Sequence, residues 1–268
     1  MKNKISEERK KFLLKKKFNK ILVLTTQILI LIIILAIWEV LANKEVIDSF
    51  VTSSPSRIFK TIVNLKTNNL GKHILVTTYE TILGFLIGTI LGTIIAIILW
   101  WSKFLSKVSE PYLVVLNSLP KVALGPIIII WVGAGTKAII VMGVAISLIV
   151  TILENLNGYL KTDKELIKMA RTFNATKFQV LTKIVIPYNI STFINSLKVN
   201  IGLSLVGVIS GEFLVSKAGL GYLIVYGGQV FKLDLVMASV LILGILAGLM
   251  YVFVLGIEKF ILKNRLRF

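Results

Sequence analysis

Apolar residues in this chain do not alternate with polar ones; they come in blocks. The stretches 21–38, 81–102 and 235–257 contain no charged residue. Runs of about 20 apolar residues match the hydrocarbon thickness of a bilayer, where a helix satisfies all of its own backbone groups. Three further blocks are less clean. The block 111–131 is interrupted by Pro120, Lys121 and Pro126, 138–153 is short and runs on to Asn157, and 190–211 contains Lys198. Each is long enough to cross if its flanking residues snorkel. The pattern predicts an all-α integral membrane protein with six transmembrane helices, at about 21–42, 79–101, 111–132, 138–157, 189–212 and 235–259. A basic arm (1–20) precedes the single transmembrane domain (21–262), which carries a polar loop at 158–188, and a basic tail (263–268) follows. The segment 53–69, opened by Ser and Pro and modestly amphipathic, predicts a short interfacial helix on the outer side.

Composition agrees. The 268 residues are 56% hydrophobic and only 16% charged, against about a quarter charged in a soluble domain. The net charge of +18 on a soluble chain would suggest nucleic acid, but no soluble domain remains to bind it. Basic residues instead mark the cytoplasmic segments of a membrane protein. With the N-terminus inside, the inner segments 1–20, 102–110, 158–188 and 259–268 hold 21 Lys and Arg and the outer segments 43–78, 133–137 and 213–234 hold 8. Both termini and the loop 158–188 are therefore expected in the cytoplasm. The first apolar block is longer than a signal-peptide core and lacks a clean small-x-small cleavage site, so it reads as an uncleaved anchor. Trp38 and Trp131 fall near outer helix ends, and Trp100 and Trp101 at an inner end, as in an aromatic belt.

Small residues recur at short intervals as Gly84, Gly88 and Gly92, as Gly202, Ser204, Gly207 and Gly211, and as Gly244 and Gly248. Such ridges let helix backbones approach closely in lipid. The third block, "NSLPKVALGPIIIIWVGAGTK", is broken by its prolines. Non-helical backbone at that depth is covered by protein or lines a cavity, so Ser118, Pro120 and Lys121 are candidates for a translocation pathway, with a kinked packing helix as the alternative. Lys121 and Lys198 suit an anion's path, and equally suit snorkelling or pairing. Acids near the membrane are Glu39, Glu80, Glu154 and Glu212. Each is expected to pair or to face water, because a charge in lipid costs about 2.5–3.5 kcal/mol. Glu212, in "ISGEF", is the pathway candidate among them, with a structural hydrogen-bonded acid as the other reading. There is no cysteine, a single histidine (His73), no metal-ligand cluster, no nucleophile elbow and no phosphate-cradling lysine loop. Enzyme chemistry, ATP hydrolysis included, is not expected on this chain.

The polar loop contains "KMARTFNATKFQVLTKIVIP". Thr162 and Glu165 have capping-box spacing before a helix at about 163–173, and Asn174 is suited to the left-handed residue that ends it. Thr176 and Gln179 form a second box before a helix at about 177–185, which ends before Pro187. Two successive caps, each worth about 1 kcal/mol, specify a helix–turn–helix. Met169, Phe173, Phe178, Val180, Leu181 and Ile184 give it an apolar face. That face suits packing on the chain's own helix ends and suits a groove on a cytoplasmic partner equally well.

The spacing Ala170…Asn174…Ile184-Val185-Ile186-Pro187 resembles the cytoplasmic loop signature of ABC importer permeases. Lys168 stands where that pattern has an acid, Met169 at its first alanine and Asn174 at its glycine. "LPKVALGPIIIIWVGAG", "RTFNATKFQVLTKIVIP", "GVISGEFL" and "AGLGYLI" are similar to the nitrate/sulfonate/taurine-type branch, and the resemblance covers about 53–262. It implies a type I-like permease of a prokaryotic cytoplasmic membrane, working by alternating access. It implies docking on an ATP-hydrolysing subunit through Glu165, Lys168, Met169, Ala170, Arg171, Phe173, Asn174, Ala175, Ile184 and Pro187. It implies an assembly of two permeases, two ATPases that carry the ATP and Mg, and an extracytoplasmic solute-binding protein, with no cofactor on this chain. Small oxyanions are the implied cargo; thiamine-precursor pyrimidines and riboflavin are carried by related permeases. An ATP-independent channel or secondary transporter is the reading from another class.

Overall fold

The computed structural model describes residues 7–67 and 69–265; parts of the predicted basic arm (1–6) and basic tail (266–268) lie outside them. Every regular element among the described residues is helical. Five helices are long and apolar enough to cross a membrane: α1 (Glu7–Asn43), α4 (Leu70–Trp101), α7 (Thr136–Leu160), α11 (Ile190–Val215) and α13 (Leu233–Arg265). A sixth span is broken. α5 (Lys103–Ser118) and α6 (Gly125–Val132) meet at 90°. This corrects the expectation of one crossing helix at 111–132 with a loop at 102–110. Helix resumes at Lys103, directly after α4, because Ser102 is extended and its hydroxyl accepts the Leu105 amide. The bend falls at Pro120, whose ring removes a backbone donor, and a short 3₁₀ turn (Lys121–Leu124) leads into α6.

Short elements fill the connections: α2 (Ser49–Thr52), α3 (Pro55–Thr67), α8 (Lys164–Thr172), α9 (Lys177–Val180), α10 (Ile186–Tyr188) and α12 (Leu220–Gln229). α3 matches the helix predicted at 53–69. It is tied down by Arg57, which meets Asp234 at the start of α13 at 2.8 Å, and by Glu39 of α1, which accepts the Ser56 amide at 3.0 Å and its hydroxyl at 2.8 Å. α12 lies in the outer segment 213–234, for which no helix was expected, since ten residues with no charge and two adjacent glycines offer little periodic signal. Near its C-terminal end α1 is anchored on α2 and α3, and among the described residues its apolar length is exposed.

The centre is built from α4, α7 and α11. Gly84, Gly88 and Gly92 lay α4 against Gly143, Ser147 and Thr151 of α7. On the other flank of α7, a Cβ at Gly207 would stand 2.8 Å from the Gly143 Cα and 2.8 Å from the Met142 carbonyl. Polar side chains join all three helices: Ser204 of α11 to the Thr81 carbonyl of α4 at 3.1 Å, Asn155 of α7 to Thr93 of α4 at 3.1 Å, and Asn200 of α11 to Thr151 of α7. Interhelical hydrogen bonds in lipid average only about 0.6 kcal/mol, so close backbone packing dominates this core. Gly202, Gly244 and Gly248 correct the sequence reading: among the described residues nothing stands within 4 Å of where their Cβ would be, so they form no packing ridge within this chain.

Candidate functional site

The loop between α7 and α11 is a braced motif. α8 starts at an Asp163 cap, whose carboxylate accepts the Glu165 amide at 2.8 Å. This corrects the predicted Thr162–Glu165 box. Thr162 is buried instead, and its hydroxyl accepts the Asn189 side-chain amide at 2.7 Å. Asn189 also donates to the Val185 carbonyl at 2.9 Å. One buried contact thus closes the loop, joining residues 27 apart at its two mouths.

α8 ends as its sequence predicts. Asn174 has φ of 58°. The Ala175 amide reaches back to the Ala170 carbonyl at 3.0 Å and the Asn174 amide to Arg171 at 2.9 Å, a Schellman pattern with Asn in the left-handed position. Thr176 and Gln179 form the predicted capping box, with bonds of 3.3 and 2.8 Å. α9 is only one turn long, however. From Leu181 to Val185 the backbone widens to a π turn before α10. Pro187 has no amide to offer a regular ladder, which accounts for the break.

The apolar face predicted for this segment divides in two. Val180 and Leu181, with Val185, are buried against Ala96 and Leu99 of α4 and Ile152, Leu156 and Tyr159 of α7. Ile167, Ala170 and Ala175 pack half-buried on the same cluster. Met169, Phe173 and Phe178 stay exposed, at 53%, 80% and 64%. The packing reading therefore holds for Val180 and Leu181, while Met169, Phe173 and Phe178 take no part in that packing. Of the remaining candidates, Glu165, Lys168, Arg171 and Asn174 are exposed, and Ile184 and Pro187 are half-buried. Lys168, standing at the acidic position of the signature, pairs with Glu165 at 2.9 Å. Both are largely solvated, so the pair adds little stability.

The pathway candidates do not form one group. Ser118, Pro120 and Lys121 sit together at the α5–α6 bend, where Lys121 turns back on α5 and donates to the Asn117 carbonyl at 2.9 Å. Glu212 belongs to another cluster. It is 1% exposed, accepts the Thr77 hydroxyl at 2.7 Å, and accepts the Gly221 amide at 2.6 Å at the start of α12. Thr77 in turn accepts the Leu220 amide at 2.8 Å, and His73 accepts the Gly219 amide at 3.0 Å. Gly219 has φ of 118°, and a Cβ there would stand 2.3 Å from the Glu212 carboxylate. "GVISGEFL" and "AGLGYLI" are therefore one structural unit, in which the buried Glu212 side chain caps a helix. In this conformation Glu212 is enclosed rather than lining a passage. Glu80, also 1% exposed, faces Glu212 and Thr136.

The profile of one protein family, the binding-protein-dependent transport system inner membrane component, matches residues 88–267. The chain belongs to this family. It is a transmembrane permease subunit of an ABC importer. A probable ABC transporter permease of Haemophilus influenzae is 29% identical to this permease, over 81% of this chain and 88% of the relative. A putative aliphatic sulfonates transport permease, SsuC of Bacillus subtilis, is 27% identical over 87% of this chain and 85% of the relative. The permease fold is shared with a chain of an inward-facing MetNI methionine ABC transporter, at a TM-score of 0.64 and 18% identity, covering 71% of this chain and 94% of that one. The match to the family begins inside α4, so α1, α2 and α3 lie outside it.

Proposed function

We propose that the braced segment from Asp163 to Asn189 is the element through which an ATP-hydrolysing partner drives this permease, and that it faces the cytoplasm. The observation that carries this reading is the exposure of Met169, Phe173 and Phe178 on a motif whose other side is rooted in the core. Large apolar side chains on a rigid, capped scaffold are what a cleft on a partner can grip. Pushing on them displaces the ends of α4 and α7 directly, because Val180 and Leu181 are packed there. Two copies of the permease, two ATPase subunits and an external binding protein make the assembly in this reading. The excess of basic residues in 1–20 and 158–188 supports the cytoplasmic placement.

Ala170→Glu places a charge in the half-buried packing under α8, and Asn174→Pro forbids the left-handed turn. Both are expected to abolish coupling of ATPase activity to transport in reconstituted importer while the permease still inserts. Transport at wild-type rate in both variants refutes the reading. For cargo, the likeness to the aliphatic-sulfonates permease favours a small organic or inorganic oxyanion. ATPase stimulation by the cognate binding protein loaded with an alkanesulfonate, compared with a neutral solute of the same size, tests it; equal stimulation refutes it.

A further inference from the structure

α8 presents two faces of opposite chemistry. Lys164, Lys168 and Arg171 share one side at helical spacing, and Met169 and Phe173 take the other. The cationic side lines a cleft that Lys103, at the start of α5, and Lys177, at the start of α9, also line. Five cations thus surround one opening, with Trp100, Tyr159 and Ile167 as apolar lining between them. The cleft lies where α4 ends at Trp101 and α7 ends at Leu160, the level at which the apolar spans give out.

These cations are not equally engaged. Lys177 donates to the Trp101 carbonyl and stands 5.2 Å from that ring's centroid, so it fastens the loop to α4. Lys168 is paired with Glu165, and Asp163 spends a carboxylate oxygen on the Glu165 amide. Lys103, Lys164 and Arg171 have no carboxylate partner among the described residues. Like charges gathered at an apolar wall repel one another, and an anion seated between them reverses that cost.

We propose that this cleft binds the phosphate headgroup of an anionic phospholipid from the adjoining leaflet. A basic pocket between helix ends at the membrane surface is the arrangement that holds such headgroups. The apolar lining favours a lipid over a free anion, since glycerol and the first acyl carbons need a surface to lie on. A lipid seated there bridges α5, α7 and α8, leaving the Met169–Phe173 face clear. The inference rests on this chain's geometry and needs no partner subunit, so it stands or falls separately from the docking reading.

The test is native mass spectrometry of the full-length permease, delipidated in micelles and titrated with phosphatidylglycerol or with phosphatidylcholine. Phosphatidylglycerol is expected to be retained selectively. Each of Lys103→Gln, Lys164→Gln and Arg171→Gln is expected to weaken retention about five-fold. Lys164→Arg is expected to keep it, and Lys44→Gln and Lys60→Gln, at the opposite end of the molecule, to leave it unchanged. Equal retention of the two lipids, or equal losses in the control variants, overturns the proposal. Displacement of phosphatidylglycerol by inorganic phosphate at similar concentration overturns the lipid assignment in favour of a free-anion site.

Discussion

Lys198 of α11 and Glu258 of α13 meet at 2.8 Å, with side chains 18% and 23% exposed. The pairing explains how a lysine is carried in a membrane span. Charges at that depth are stable in company and costly alone. Lys198→Ala is expected to destabilise the permease by about 1–2 kcal/mol, scaled down from a fully buried pair because water still reaches both ends. The exchange Lys198→Glu with Glu258→Lys is expected to recover most of the loss. Thermal unfolding in micelles distinguishes the three proteins, and full stability of the single variant removes the pair from the structural account.

Thr77→Val keeps the shape of the side chain but strips a hydroxyl that serves both Glu212 and the Leu220 amide. Two buried groups lose a partner at once, and the expected cost is about 2–4 kcal/mol. Thr77→Ser retains the hydroxyl and is expected to stay within about 1 kcal/mol of wild type. Limited proteolysis near residues 216–220 reports the loosening of α12. Equal resistance in both variants rules out a bridging role for Thr77.

The glycines separate into two classes that a substitution series can resolve. Gly207→Ala drives a methyl into the backbone of α7, which cannot step aside, and is expected to cost about 1–3 kcal/mol. Gly244→Ala and Gly248→Ala meet open space and gain helix propensity, so each is expected to be neutral or stabilising by up to about 1 kcal/mol. A larger loss at Gly244 or Gly248 in the assembled importer than in the isolated chain indicates that a second subunit packs there.

Asn174→Gly preserves the left-handed turn, whereas Asn174→Val strains it by about 1–2 kcal/mol. Transport is expected to be near normal in the glycine variant and reduced in the valine variant, with both proteins inserted. Similar transport by both shows that the turn geometry is not what matters there.

Much of this was legible in the sequence, because local rules were sufficient where they applied. Asn174 sets a left-handed turn and Thr176 accepts the Gln179 amide, both within a few residues of themselves, so spacing alone identified the turn and its second cap. The long uncharged blocks located α4 and α13, and the less clean blocks α7 and α11, although α4 starts nine residues before the predicted boundary, at Leu70. Thr162 was misread for the opposite reason. Its local pattern fits a capping box, but Asn189 competes for the hydroxyl from a distance that spacing does not reveal. Glu212 is similar: its partners sit on α4 and across the 216–219 turn, so its cap on α12 exists only in three dimensions. The right angle between α5 and α6 was foreshadowed by Pro120, but a proline marks where a helix breaks and not how far it turns.

The widened turn at Leu181–Val185 holds one residue more than an α-helical turn needs. The turn absorbs that residue by widening, so the segments on either side stay nearly in phase. The same residue taken up in regular α-helix would swing the exposed phenylalanines by about 100° relative to α11. The widened turn thus keeps the bearing of the loop against the membrane helices.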